Sequence, residues 1–299
     1  MKAVRNRTLE LTDDDRDVLR GKLQNKFVLN STINVNLFEI LESLPEKFAD
    51  LIIIDPPYNL AKDFNGFKFV ETKDEPYKKY LESWLPQICK CLKDDGSLYL
   101  CGDWKSSVVM YDVLSKNLNV INRITWQREK GRGAKLNWKN GMEDIYFAVK
   151  DVKNYYFDVE AVKVKKRVLA PYKQDGKPKD WQETEDGKFR LTHPSNLWDD
   201  ISIPYWSMPE NTEHPTQKPE KLIAKLILAS CPKKGVVFDP FLGSGTTSVV
   251  AKKLGRQYVG VEMNEEYAML AEKRLQMAAK NKNIQGFEKG VFLERNFKK

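Results

Sequence analysis

Asp55-Pro56-Pro57-Tyr58 places a carboxylate, a carbonyl acceptor and an aromatic ring at one point of the chain. It directly follows the apolar run 51–54, which predicts a buried strand that ends at the two prolines. Proline fixes its own φ and disfavours helix in the residue before it, so the tetrapeptide forms a stiff, extended loop. Two acceptors beside a ring suit a flat base with an exocyclic amino group. By itself, the tetrapeptide is equally compatible with a strand end that carries a solvated Asp.

A glycine loop lies far downstream, in Asp239-Pro240-Phe241-Leu242-Gly243-Ser244-Gly245-Thr246-Thr247. The apolar residues 236–238 before it predict a short buried strand, and the apolar spacing from 248 to 254 predicts a helix after it. A nucleotide-cofactor loop requires this order of strand, glycine loop and helix. The two glycines allow the backbone to approach a ligand closely.

A second carboxylate, Glu262, ends the next predicted strand, 258–261. In dinucleotide-binding folds, an acidic residue in this position accepts hydrogen bonds from ribose hydroxyls. The dehydrogenase fingerprint G-x-G-x-x-G is not met, because position 248 is Ser. The pattern therefore indicates a nucleotide-like cofactor and argues against a nicotinamide dehydrogenase.

Together, the two motifs resemble those of the amino-group DNA methyltransferases, which methylate the exocyclic nitrogen of adenine or cytosine. The D-P-P-Y segment 55–58 is similar to the catalytic motif of that family, and 241–245 is similar to its F-x-G-x-G cofactor motif. A third segment, 214–219, resembles the H-P-T-Q-K-P stretch that precedes the helix leading into the cofactor loop. The catalytic motif comes first and the cofactor motif last, as in the permuted beta class. The resemblance spans roughly residues 27–275.

The resemblance implies S-adenosylmethionine as cofactor. Glu262 is then expected to hold the ribose, and Lys218 with Thr216 the carboxylate end of the methionine portion. Asn30 stands where the family usually has an acidic residue after the first strand, near the adenine ring. The expected cofactor-binding set is Asn30, Asp55, His214, Thr216, Lys218, Asp239, Phe241, Gly243, Ser244, Gly245, Thr246 and Glu262.

The expected catalytic residues are Asp55, Pro56, Pro57 and Tyr58. An exocyclic amine is a poor nucleophile because its lone pair is delocalised into the ring. If Asp55 and the Pro56 carbonyl each accept one hydrogen, the nitrogen can become pyramidal and direct its lone pair at a methyl donor. The carboxylate then stabilises the positive charge that develops on nitrogen, and Tyr58 is expected to stack on the base. This chemistry needs no covalent enzyme intermediate.

The composition favours a polyanionic partner. The chain of 299 residues has 50 Lys and Arg against 42 Asp and Glu, a net charge of +8. Most of the excess lies in 123–172, where 12 basic residues face six acidic ones. In the beta class, the DNA-reading region lies between the catalytic half and H-P-T-Q-K-P. The candidates for contacts to duplex DNA are Arg128, Arg132, Lys135, Lys165, Lys166 and Arg167.

Alternating strands and helices predict an α/β fold with a doubly wound, mostly parallel sheet. The resemblance specifies this as the seven-stranded, Rossmann-like methyltransferase type, circularly permuted. We expect a catalytic half in 1–126, a target-recognition insertion in 127–213 whose residues 143–150 return to the sheet, and a cofactor-binding half in 214–299. Residues 27–29 are predicted as the first strand and 77–92 as one helix. The aperiodic stretch 59–75 is interpreted as a mobile lid or, alternatively, a plain connector.

Several other side chains are compatible with purely structural roles. Cys89, Cys91, Cys101 and Cys231 are too few for a disulfide framework and too oddly spaced for a metal cluster, so no metal is expected. No apolar run approaches the length of a membrane span, which predicts a cytoplasmic protein. Of the two histidines, His214 is expected to shape the cofactor pocket, whereas the other one, at position 193, is expected to be structural. Position 143 is a Glu that resembles a family carboxylate near the target base, but a surface or cap role is equally compatible.

The predicted function is site-specific methylation of adenine N6 in a short duplex DNA sequence, as the modification enzyme of a restriction-modification system. Methylation of cytosine N4 is the main alternative, because the two amines present similar geometry. An RNA or protein amide methyltransferase would share the cofactor loop, and a non-catalytic nucleic-acid-binding protein could use the same scaffold. Expected partners are duplex DNA, a cognate restriction endonuclease that acts on the same site without a stable complex, and a second copy in a homodimer.

Overall fold

The computed structural model describes residues 5–64, 66–128, 136–168, 172–184, 187–295 and 297. Its helices are α1 (Asp13–Arg20), α2 (Leu37–Ile40), α3 (Asp74–Glu82), α4 (Leu85–Lys90), α5 (Ser107–Ser115), α6 (Glu220–Ser230), α7 (Thr246–Lys253) and α8 (Glu265–Lys280). Two short 3-10 turns cover Leu41–Ser43 and Glu160–Val162.

The first seven strands are β1 (Ser31–Ile33), β2 (Ala49–Ile54), β3 (Lys62–Phe64), β4 (Phe67–Phe69), β5 (Leu92–Gly102), β6 (Asn119–Gln127) and β7 (Met142–Val149). Then follow β8 (Val164–Arg167), β9 (Lys173–Gln174), β10 (Lys177–Pro178), β11 (Gln182–Thr184), β12 (Gly187–Thr192) and β13 (Leu197–Trp198). The last four are β14 (Val236–Asp239), β15 (Gln257–Val261), β16 (Phe287–Glu288) and β17 (Val291–Leu293).

The large sheet has the strand order β1-β15-β14-β2-β5-β7-β6-β13. Neighbouring strands run parallel from β1 to β5, whereas β7 is antiparallel to both of its neighbours, β5 and β6. Apolar side chains of α2 to α5 cover one face and those of α6 to α8 the other. The doubly wound, mostly parallel α/β fold is therefore confirmed.

Strand β2 shows why this sheet needs helices on both faces. Leu51 and Ile53 belong to one core cluster, and Ile52 and Ile54 belong to the other. This division follows the two-residue period of a strand. Because both sets are buried, the strand reads as a continuous apolar run, which is typical of a central parallel strand.

A smaller sheet contains the basic strand β8. Its order is β11-β12-β8-β17-β16, and β17 comes from the C-terminal region of the chain. The sheet thus combines segments that are more than 100 residues apart. None of the described helices is long and apolar enough to cross a membrane.

Three local predictions were wrong. The first strand is β1, not 27–29. The stretch predicted as aperiodic, 59–75, contains the hairpin of β3 and β4, followed by the start of α3. The single helix predicted for 77–92 is two helices, because the chain leaves helical geometry at Trp84 and restarts with Pro86 in the first turn of α4. Proline has no N–H to donate, so it is tolerated in a first turn and disrupts a helix interior.

Candidate active site

Three carboxylates stand at the ends of three neighbouring strands. Glu262 follows β15, Asp239 ends β14, and Asp55 follows β2. Strands β14 and β2 pair directly, with Val237 opposite Leu51. The carboxyl ends of parallel strands meet at one edge of the sheet, which is where ligands bind in open α/β folds. The two motifs of the sequence therefore meet at this edge.

A cavity of about 420 Å³ opens there. Of the predicted catalytic and cofactor residues, all except Asn30 and Gly245 line it, and so does Arg128. Further lining residues that the sequence did not single out include Asn36, Phe38, Phe69, Tyr80, Met263 and Tyr267. Aromatic and apolar walls with a few convergent charged groups are typical of sites for small ligands and cofactors.

The D-P-P-Y loop is held by hydrogen bonds from elements behind it. The Tyr77 hydroxyl of α3 donates to the Pro57 carbonyl at 3.1 Å. The Asn59 side chain donates to the Thr72 carbonyl at 2.7 Å and accepts from the Thr72 N–H at 2.8 Å. These contacts join the loop to the segment that follows β4, so the hairpin region predicted as a lid is anchored at its base.

Asp55 carries two charge-assisted contacts. Lys218 Nζ lies 2.6 Å from Oδ2, and the Tyr58 hydroxyl donates to Oδ1 at 2.7 Å. Burial and the nearby Asp55 and Glu143 carboxylates raise the pKa of Tyr58 well above its ordinary value, so Tyr58 remains a donor. Lys218 was expected at the cofactor's carboxylate end. Its ammonium group bonds to the Asp55 carboxylate.

Glu143 belongs to the same cluster, although the sequence did not favour it over a surface residue. It lies in β7, only 3% exposed, and pairs with Arg128 through Oε1. Its Oε2 is 3.3 Å from Lys218 Nζ. Burial opposes the charge on Lys218, but Asp55 and Glu143 together raise the pKa of Lys218 above its ordinary value. The sequence signal for Glu143 was its resemblance to a family carboxylate near the target base, which left a surface or cap role equally compatible.

The glycine loop packs too closely for larger residues. Gly243 has a φ of +55°, and a Cβ there would lie 2.9 Å from His214 Nε2. Gly245 has a φ of +86°, and its Cβ would lie 2.5 Å from the Cβ of Ala271 in α8. Glycine is therefore required at both positions, by backbone conformation and by space.

Buried ionisable groups surround this loop. Glu262 accepts from the Gly243 N–H at 2.7 Å and from the Asn264 N–H at 2.8 Å. Burial raises the pKa of Glu262 to about 7, although these hydrogen bonds oppose the shift. Burial also raises the pKa of Asp239 to about 7 and lowers the pKa of His214 to about 4. His214 is thus a neutral wall residue, edge-on to Tyr267 with the ring centroids 4.4 Å apart.

Arg274 is a residue that the sequence analysis missed. It lies in α8, is 4% exposed, and donates at 2.9 Å both to the Ser244 carbonyl and to Thr246 Oγ1. Its other terminal nitrogen contacts Glu220 at 3.3 Å. The guanidinium group thereby ties the glycine loop to the first turn of α6. A buried Arg in an amphipathic helix has no sequence signal that separates it from an exposed one.

The prediction for Asn30 was wrong. Asn30 lies at the start of β1, at the opposite edge of the sheet from the cavity, and its side chain accepts from the Tyr258 N–H at 3.2 Å. The error follows from placing the first strand too early. The chain reaches the cavity after β1, where Asn36 caps α2 and lines the cavity wall.

Among the described residues, the basic candidates lie in two places: Arg128 lines the cavity, whereas Lys165, Lys166 and Arg167 lie in β8. Arg132 and Lys135 lie outside the described residues. Lys165 Nζ sits 4.4 Å from the centre of the Phe189 ring, and Arg167 donates to the Phe297 carbonyl at 3.0 Å. Lys166 alternates with them and therefore points to the other face of β8. The pKa of Lys225 is lowered to about 8, mainly by burial and to a smaller extent by the charges of Lys221 and Lys166.

The four cysteines and His193 are the last of the side chains considered in the sequence, and of these only Cys101 lines the cavity. All four cysteines are free and buried. Burial raises the pKa of Cys89, Cys91 and Cys231 to about 12 and also raises that of Cys101 well above its ordinary value, so these thiols stay protonated at neutral pH. The ring of His193 pairs with Glu160 at 2.8 Å on the surface.

Known proteins are similar to this chain in sequence. The model of a DNA methylase family matches residues 49–273, more than half of the chain. The type II methyltransferase M.HpaI of Haemophilus parainfluenzae is 33% identical over 247 residues, 80% of this chain and 72% of that protein. The DNA adenine methyltransferase YhdJ of Escherichia coli K12 is 34% identical over 247 residues, 80% of each chain.

Solved structures show the same fold. The M1.HpyAVI-SAM complex is 24% identical, with a TM-score of 0.57 over 82% of this chain and 98% of that one. The PvuII DNA methyltransferase, described as cytosine-N4-specific, is 19% identical, with a TM-score of 0.60 over 85% of this chain and 92% of that one.

Proposed function

The chain belongs to the DNA methylase family, and we propose that it transfers a methyl group from S-adenosylmethionine to N6 of adenine in a short duplex DNA sequence. The observation that carries the proposal is the shared cavity, which Asp55 of the D-P-P-Y loop and Gly243 of the glycine loop both line. In the proposed complex, this one cavity holds both the reacting amine and the methyl donor. We further propose that the enzyme acts as the modification partner of a restriction endonuclease.

The cavity residues fit S-adenosylmethionine. Among the described residues, the Ser244 hydroxyl is one of few buried polar atoms without a hydrogen-bond partner. Gly243 presents bare backbone to the cavity, because a Cβ at this position would lie 2.9 Å from His214 Nε2. Glu262 is a strong acceptor for ribose hydroxyls once it is ionised, and Phe241 and Met263 offer apolar surface to an adenine ring. S-adenosylmethionine supplies an electrophilic methyl group when it is bound.

The catalytic contribution of the chain is to bind and orient the amine. Asp55 and the Pro56 carbonyl accept its two hydrogens, which makes its lone pair available. Asp55 then stabilises the positive charge that grows on nitrogen, in a site from which bulk water is excluded. The methylated ammonium is acidic enough to lose its proton afterwards, so no separate strong base is needed. Tyr58, which stays protonated, fixes the rotamer of Asp55 through its hydroxyl.

The target base must leave the duplex to reach Asp55, at a cost of a few kcal/mol. Contacts between basic side chains and phosphates offset this cost. We propose the region 127–213 as the DNA-recognition region, since its first half overlaps the stretch 123–172, in which 12 basic residues stand against six acidic ones.

The test is to incubate the purified protein with unmethylated bacterial genomic DNA and S-adenosylmethionine, and to analyse the nucleosides by mass spectrometry. We expect N6-methyladenine and no transfer to RNA. A product that contains only N4-methylcytosine would replace the adenine assignment with its alternative, and a product that contains neither would overturn the proposed function. The D-P-P-Y motif and the adenine-specific relative YhdJ support adenine.

Neutralising Lys165 and Arg167 to Gln should weaken DNA binding and flatten its salt dependence. Each phosphate contact that is lost reduces the log–log slope by ~0.9. The slope is measured from binding isotherms between low and moderate salt. Neutralising Lys47 and Lys116, which lie at the opposite edge of the sheet, is the matched control and should leave the slope unchanged. An equal change in both variants would show that β8 makes no specific contribution.

A further inference from the structure

One cation in the active site lies between two carboxylates. Lys218 Nζ is 2.6 Å from Asp55 Oδ2 and 3.3 Å from Glu143 Oε2. Both side chains that flank it are buried or nearly so, and Lys218 itself is 8% exposed. A short movement of Nζ is therefore enough for Lys218 to change its main partner from one carboxylate to the other.

The position that Lys218 occupies conflicts with the proposed chemistry. Asp55 must accept a hydrogen of the target amine and then face a growing positive charge on nitrogen. An ammonium at hydrogen-bond distance from the same carboxylate repels that charge, by about 4 kcal/mol for unit charges 4 Å apart at an effective dielectric of 20. Lys218 must consequently leave Asp55 before the amine reacts.

Glu143 is arranged to receive it. Its Oε1 accepts from Arg128, whereas its Oε2 faces Lys218, with the Tyr58 hydroxyl 3.5 Å away. A buried ammonium that lost every anionic partner would be costly, so a second carboxylate is needed if Lys218 is to move without being neutralised. Arg128 keeps Glu143 in place from the other side.

We propose that Lys218 is an exchangeable counter-ion: it pairs with Asp55 in the DNA-free enzyme and moves to Glu143 Oε2 when the target amine takes its place. Glu143 is then a positioning residue, because it holds Lys218 away from the incoming base. As a result, Asp55 binds only a base whose amine displaces Lys218. This inference rests on the proposed methyl transfer.

The test uses Glu143→Gln, which keeps the size of the side chain and an oxygen for Arg128 but cannot neutralise an ammonium. Lys218 should then remain on Asp55. We expect kcat with genomic DNA to fall about 30-fold, with the dissociation constant of S-adenosylmethionine changed by less than about threefold. The matched control is Asp144→Asn, which changes the next residue of β7, equally buried but bonded to Ser107 and Thr125. It should retain kcat within about threefold.

The decisive variant is the double change Glu143→Gln with Lys218→Met. Because the double variant lacks the cation that stays on Asp55, its kcat should be at least about tenfold higher than that of Glu143→Gln. If the double variant instead loses as much kcat as the two single variants combined, both residues have a structural role. That result would overturn this inference but leave the proposed function intact. A wild-type protein that leaves DNA unmethylated would overturn the proposed function and the inference with it.

Discussion

Replacing Asp55 by Ala should reduce methyl transfer by at least about a thousandfold while S-adenosylmethionine still binds. The substitution removes both the acceptor for the amine and the negative charge that stabilises the developing ammonium. Loss of a single group that stabilises transition-state charge costs about 10²–10³ in kcat, and here the same group also orients the nucleophile. The rate is measured as labelled methyl incorporated into genomic DNA, and cofactor binding by calorimetry.

The control for this variant is Asp50→Ala. Asp50 lies in the same strand, β2, but at the opposite edge of the sheet, where it pairs with Lys93 at 2.8 Å and accepts from the Val236 N–H at 2.7 Å. Its loss should lower stability and leave the chemistry intact in the folded fraction. If Asp55→Ala retained most of its activity, Asp55 could not be the group that holds the amine.

Replacing Glu262 by Gln should weaken S-adenosylmethionine binding about 30-fold at pH 8. A hydrogen bond to a charged acceptor is worth about 1.5–3 kcal/mol, more than one to a neutral amide. The wild-type affinity should also rise between pH 6 and pH 8, because the pKa of Glu262 in the ligand-free protein is about 7 and the ionised form is the better acceptor. Calorimetric titrations across this range should show the rise in wild type and its absence in Glu262→Gln.

A stability measurement separates this effect from a folding defect. Burial raises the pKa of Glu262 from 4.5 to about 7, so the folded state binds its proton more tightly than the unfolded state. The stability that this group contributes is present at low pH and is lost as pH rises through about 7. At pH 8, the unfolding temperature of Glu262→Gln should therefore be equal to or higher than that of wild type. Glu265→Gln, three residues further on at the start of α8 and on the surface with Arg20, should leave cofactor binding unchanged. A large loss of stability in Glu262→Gln at pH 8 would contradict this account.

Local patterns in the chain were enough to identify both halves of the site. A continuous apolar run that ends in Pro-Pro defines a buried strand and a stiff loop, and a glycine pair between a strand and a helix defines a close-approach loop. These signals are local because they arise from backbone conformation and from the period of side chains along a strand or helix. For the same reason, the boundaries of β1, of the hairpin β3–β4 and of the break between α3 and α4 were missed: they depend on packing against distant residues.

The roles of Lys218, Glu143 and Arg274 emerged only from the folded molecule. Lys218 was assigned to the cofactor from its motif, yet it reaches Asp55, because α6 begins next to the tip of β2. Nothing near position 143 or 274 in the chain distinguishes a buried charge from a solvated one. Whether a charge is buried depends on strand order and helix packing, which bring together segments up to 160 residues apart and which no window of sequence contains.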